Sequence, residues 1–254
     1  MYIERIGQGP DLVLIHGWAM HGGIFAPLTD ILRTSFTLHL VDLPGHGFSR
    51  DDTMELDPQR CADALIDKVP RAIWIGWSLG GLVSLSAALS HPERLRGIVE
   101  IAASPRFLEA PDWPHGVSQS TFEQFEQGLV DDYRMVVERF LALEVLGSPD
   151  AQTQLRRLRL RTFERGDPAI DALKQGMQIL EHADMRSSMA RLAIPNLWIA
   201  GRRDRLVPSA AMQWSAQQNP MGQFLELPSA HAPFIADAPD VANAIKQFAG
   251  AITS

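Results

Sequence analysis

Short apolar runs alternate along the chain with longer stretches in which apolar residues recur every three or four positions. The runs fall at 11–16, 37–42, 72–76, 97–102, 195–200 and 223–227, and most are followed by a turn and then an amphipathic stretch. That rhythm predicts parallel strands joined by helices. Leu12-Val13-Leu14-Ile15 and Leu197-Trp198-Ile199 are apolar throughout, as central strands covered on both faces require. The opening Met1-Tyr2-Ile3-Glu4-Arg5-Ile6 reads as a further, first strand. The fold class expected is α/β, with a mostly parallel central sheet, helices on both faces and a site at the C-terminal ends of the strands.

Between about Ser104 and Arg191 the alternation stops. Helical spacing takes over at 120–128, 132–146, 151–165 and 167–183, with Gly147-Ser148-Pro149 and Gly166-Asp167-Pro168 as breaks. The division expected is a core of residues 1–104 and 191–254 with a helical lid, 105–190, inserted over the strand ends. A chain of 254 residues suits one α/β domain carrying such an insertion.

Composition acts mainly by exclusion. A net charge of −7 argues against nucleic acid as a partner, because phosphate binding needs a basic surface. No apolar run is long enough to span a bilayer, and the start lacks the basic and apolar regions of a signal peptide. A cytoplasmic monomer without a membrane partner is expected. Cys61, the single cysteine, sits in an amphipathic stretch and reads as a small buried apolar residue, not as a nucleophile. The charge is uneven, however. From Ala151 to Arg165 there are five arginines (156, 157, 159, 161 and 165) against one acid, Glu164. On a helix, Arg157, Arg161 and Arg165 would share a face with Arg156 and Arg159 alongside, while Leu155 and Leu158 face inward. Such a face would steer an acidic partner to the mouth of the site; a solvated helix with no partner is the alternative.

The candidate chemistry centres on Ser78 in Gly76-Trp77-Ser78-Leu79-Gly80. A strand precedes this G-x-S-x-G run and a helix-like stretch follows it, which is the context of a strained turn that exposes a nucleophilic hydroxyl at a helix N-terminus. A serine hydroxyl needs a base, and the base needs an orienting acid. Asp204 lies in a turn-rich loop past one strand and His231 past the next, giving the chain order Ser, Asp, His. Asp237 and Asp240 compete with Asp204 by distance along the chain, but both read as caps of a final helix over 239–248. Glu100, inside a strand, reads as structural. The oxyanion donors expected are the backbone N–H groups of Leu79 and of Trp18, the latter in His16-Gly17-Trp18-Ala19-Met20. His16 reads as holding that loop by a hydrogen bond. The Trp18 ring either walls an acyl pocket or packs, and the same choice applies to Phe140, which shares an apolar face with Val136 and Leu143. This chemistry requires no metal and no organic cofactor.

Together these residues resemble the α/β-hydrolase superfamily, as does Asp42-Leu43-Pro44-Gly45-His46-Gly47-Phe48-Ser49. Longer stretches are similar to the pimeloyl-acyl-carrier-protein methyl ester esterases of bacterial biotin synthesis: 36–45, 72–83, His91-Pro92-Glu93-Arg94, Val137-Glu138-Arg139-Phe140-Leu141-Ala142-Leu143 and His231-Ala232-Pro233-Phe234-Ile235. The resemblance implies a serine carboxylesterase whose partner is acyl carrier protein bearing the pimeloyl methyl ester. It implies Ser78 as nucleophile, Asp204 and His231 as its partners, and Arg139 and Arg156 as contacts to the carrier and its phosphopantetheine. Met135 and Gln152 stand where the family pattern has further arginines, with Arg134, Arg157 and Arg159 nearby to replace them. Two other readings stay open from the residues: a general short-chain or carbon–carbon bond serine hydrolase, and a ligand-binding receptor that retains the triad.

Overall fold

The structure, a computed structural model, describes residues 1–148 and 150–253. Pro149, part of one break noted above, lies outside the described residues. The first half of the chain builds β1 (Tyr2–Gly7), β2 (Asp11–Ile15), α1 (Ala26–Leu32), β3 (Thr37–Asp42), α2 (Pro58–Ile66), β4 (Ala72–Trp77), α3 (Leu79–Ser90) and β5 (Leu95–Ile101). Four helices follow: α4 (Gln119–Asp131), α5 (Tyr133–Glu144), α6 (Ala151–Thr162) and α7 (Ile170–His182). The chain then returns to the sheet through β6 (Asn196–Gly201), α8 (Ser209–Gln217), β7 (Gly222–Leu227), α9 (Pro233–Ala236) and α10 (Ala238–Thr253).

One seven-stranded sheet results, in the order β1-β3-β2-β4-β5-β6-β7. Every pairing is parallel except that of edge strand β1 with β3. Leu12 to Ile15 and all of β4 are buried, so the continuous apolar runs do mark the centre of the sheet. Alternation along β5 shows that both faces are covered. Glu100 points to α3, where it accepts a hydrogen bond from Ser84, while a side chain at Gly97 would meet Phe248 of α10 on the other face.

The segment from 105 to 118, ahead of the helical spacing, is irregular, with isolated bridges pairing Leu108 with Val117 and Ala110 with Trp113. One reading is corrected. The third helix of the central group stops at Thr162, short of Arg165. Gly166 turns the chain with a φ of 88°, and Arg165 swings inward to the buried Asp42. Hence Arg157, Arg161 and Arg165 do not form one exposed stripe. Among the described residues, no helix is long and apolar enough to cross a membrane, and no group of three or more His, Cys, Asp or Glu is arranged to hold a metal.

Candidate active site

β4 enters its turn with no room to spare. A side chain at Gly80 would collide with the carbonyl oxygen of Ile15 and one at Gly76 with Ser84 and Gly81, so glycine lets α3 start directly against β2. Ser78 pays for that closeness with φ 54° and ψ −120°, a conformation that non-glycine residues rarely adopt. It caps α3 without using its side chain, which leaves the hydroxyl for another partner.

That partner is His231, in the loop after β7. Its Nε2 lies 2.9 Å from Ser78 Oγ and its Nδ1 lies 2.8 Å from Asp204 Oδ2. Asp204, in the loop after β6, also accepts N–H groups from Leu206 (2.8 Å) and Val207 (2.9 Å) on Oδ1. A carboxylate only accepts, so Nδ1 carries the imidazole proton and Nε2 faces the serine as an acceptor. Asp237 and Asp240 lie at the start of α10 and bond neither group. The His231 main chain is fixed at both ends: its N–H donates to the carbonyl of Glu144 at 3.0 Å, and its carbonyl accepts from Trp77 Nε1 at 2.9 Å.

Opposite Ser78, the 16–20 loop follows β2. His16 Nδ1 donates to Gly17 O at 2.8 Å, and its Nε2 accepts the Leu43 N–H at 3.0 Å. Burial, with nearby His46 second, holds the His16 imidazole well below its ordinary range, so it is a neutral brace at neutral pH. Burial pushes His46 down to about 4. The backbone N–H groups of Trp18 and Leu79 donate to no acceptor among the described residues, as oxyanion donors must be before a substrate binds.

A narrow cavity of about 20 Å³ lies beside Ser78, lined otherwise by Phe107, Val117, Phe122, Phe125, Phe140, Met177, Leu180 and Leu206. Phe140 is therefore a wall as well as packing. The Trp18 ring does not line this cavity; it stacks edge-on to Phe140 at 4.9 Å and donates to Leu173 O at 2.8 Å. Arg139 is exposed and lines a separate surface pocket, with Phe125 shared between that pocket and the cavity. Arg156 and Arg157 are exposed on α6, whereas Arg159 pairs with Glu138 and Arg134 forms a double bond-pair with Asp167 at 2.8 Å. Cys61 is buried, and burial pushes its thiol up to about 12.

Sequence reasoning passed over Glu144, Trp77 and most of the cavity wall. Glu144 and Trp77 act through contacts with a distant loop, for which no local pattern exists. The aromatic residues of 107–125 were visible only as apolar positions.

The sequence profile of the alpha/beta hydrolase family matches residues 12–244. A pimeloyl-acyl-carrier-protein methyl ester esterase of Xanthomonas campestris pv. campestris is 50% identical over 253 residues, spanning 99% of this chain and all of that protein. Its counterpart in Stenotrophomonas maltophilia is 51% identical over 254 residues, spanning 100% and 98%. Among solved structures, an esterase from Exiguobacterium antarcticum superposes with a TM-score of 0.88 at 19% identity, over 100% of this chain and 95% of that one, which speaks for the fold alone. The chain belongs to the alpha/beta hydrolase family and, at half identity over its whole length, to the group within it that contains these methyl ester esterases.

Proposed function

We propose that this hydrolase cleaves the methyl ester of pimeloyl-acyl-carrier protein, releasing methanol and leaving the acyl chain on its carrier with a free carboxylate. The observation that carries the reading is the unbroken chain of hydrogen bonds from Asp204 through His231 to Ser78 at the wall of an apolar cavity. The names of the half-identical relatives supply the substrate.

In this reading residues 1–104 and 191–254 form the catalytic core, and 105–190 form a lid that supplies most of the cavity wall. The methylenes of the acyl chain lie against Phe122, Phe125 and Phe140, with the ester carbonyl at Ser78. His231 Nε2 takes the hydroxyl proton as Ser78 Oγ attacks that carbonyl, and Asp204 stabilises the imidazolium. The oxyanion forms between the N–H groups of Trp18 and Leu79, where the N-terminus of α3 adds its positive field. His231 returns the proton to departing methanol. It then activates a water that cleaves the acyl-enzyme and restores Ser78. Every bond change is a proton or acyl transfer between these groups and water.

Arg139 and Arg156 are assigned to the carrier side, the first at the separate surface pocket that shares Phe125 with the cavity and the second on the exposed face of α6. The same reading puts the protein in the cytoplasm and has it act as a monomer. Incubation with pimeloyl-carrier methyl ester, followed by mass spectrometry, tests it. Loss of the methyl group by the wild type and not by Ser78→Ala is expected. A wild type that hydrolyses small p-nitrophenyl esters but leaves the carrier ester intact would keep the serine hydrolase and remove its substrate.

A further inference from the structure

Glu144 is the last residue of α5 and is 1% exposed. Its carbonyl receives the His231 N–H, so α5 ends directly against the loop that carries the imidazole. Its carboxyl is close enough to Asp204 for the two to interact electrostatically, and its Oε2 has no hydrogen-bond partner.

The charged groups around this carboxyl offer it no counterion. From the loop after β6 come Asp204, Arg202 paired to Glu226, Arg203 donating to Pro228 O, and exposed Arg205. From the loop after β7 comes His231, whose ring nitrogens are occupied by Asp204 and Ser78. On α4, Glu123, Glu126 and Asp131 are exposed; on α6, Arg156 and Arg157 are exposed and Arg159 pairs with Glu138; on α5, Arg139 is exposed and Arg134 is paired to Asp167. Two ionised carboxylates buried within reach of each other and without a counterion repel strongly, so one of them keeps its proton. Asp204 has three donors, namely Leu206 N–H, Val207 N–H and His231 Nδ1–H. Glu144 Oε2, buried, has none. The proton therefore stays on Glu144.

We propose that Glu144 is a positioning residue of the hydrolytic site: a buried acid behind Asp204 that anchors the His231 loop and withdraws activity when its carboxyl loses its proton. The proposal rests on the triad reading above. Burial first, and the Asp204 charge second, raise this carboxyl well above the usual glutamate range. Once ionised, the side chain must move toward water, and its carbonyl cannot then hold the His231 N–H in register. Stability follows the same sign. It is fully present below the ordinary glutamate value and is lost as pH rises through the raised one.

The test compares wild type with Glu144→Gln on one ester substrate across pH. Wild-type kcat is expected to fall reversibly at alkaline pH, by about tenfold per unit beyond its midpoint. In the variant, kcat near neutrality stays within about threefold because the swap conserves volume, and the alkaline fall disappears or moves up by about one unit or more. A wild type with no alkaline fall, or a fall that is identical in the variant, overturns the proposal. Melting temperature against pH is the second readout: the variant should gain over wild type more at about pH 9 than at about pH 5, and a constant difference counts against Glu144 as the titrating group. Should Glu144→Gln not fold, Glu144→Met replaces it in both measurements. Hydrolysis of no ester at any pH would sink the serine esterase reading instead, while the melting data would still report on Glu144.

Discussion

At the scale of single residues, Asp204 shows how much one side chain sets for another. Its Oδ1 is saturated by two backbone N–H groups, so Oδ2 is left pointing at His231 Nδ1. Asp204→Asn keeps the shape but offers an amide that can present N–H to the ring. The imidazole then turns to the tautomer with its proton on Nε2, facing Ser78, and cannot act as base. We expect kcat to fall by about 10⁴-fold with the fold intact, measured as steady-state ester hydrolysis alongside circular dichroism. A loss under about tenfold would mean that Asp204 does not set the tautomer. The three groups were legible in the sequence because each sits directly past a strand, where an α/β sheet gathers its side chains. Glu144 was not. A glutamate ending an amphipathic helix is ordinary in sequence, and only the packing of that helix end against the His231 loop gives it a consequence.

At the scale of elements, the end of α6 is fastened to the core by an ion pair that sequence reasoning assigned elsewhere. Helical periodicity alone puts Arg165 on a docking face because it continues a four-residue spacing. Periodicity carries no information about where a helix stops, and the turn at Gly166 sends Arg165 to Asp42 and Glu4, with its guanidinium over Phe48 at 4.7 Å. The Asp42 side chain is 0% exposed, and it also receives the N–H groups of Gly22 and Phe48. Removing the cation leaves that carboxylate buried without its counterion. Arg165→Ala should cost about 3–5 kcal/mol, the usual consequence of breaking a buried pair from one side, read from urea or guanidinium unfolding. A smaller loss, under about 1 kcal/mol, would make the pair equivalent to a surface contact. Because His21 bonds the Arg161 carbonyl at 2.6 Å and Thr162 Oγ1 meets Met20 Sδ at 3.2 Å, the same helix end braces the loop that presents Trp18. The variant should therefore lose kcat as well as stability.

At the scale of the whole molecule, the distribution of charge decides how a carrier-bound substrate arrives. The chain is acidic overall, at −7, so an acidic carrier is repelled everywhere except where cations stand free. With Arg165 and Arg159 paired, Arg156 and Arg157 on α6, Arg139 beside the surface pocket and Lys174 on α7 remain as exposed cations on the inserted helices. Electrostatic steering toward so small a patch is screened within about 8–10 Å at physiological salt. The consequence separates the two kinds of substrate. For the carrier ester, kcat/KM should drop by about tenfold or more between low and high ionic strength, while hydrolysis of a small neutral ester stays nearly constant. Reversing Arg156 and Arg157 to glutamate should remove most of that salt dependence and lower kcat/KM for the carrier ester without changing kcat, because the reacting groups are untouched. Equal salt dependence for both substrates would locate the effect in the active site and not in docking, and would leave the arginines of α6 as a solvated surface.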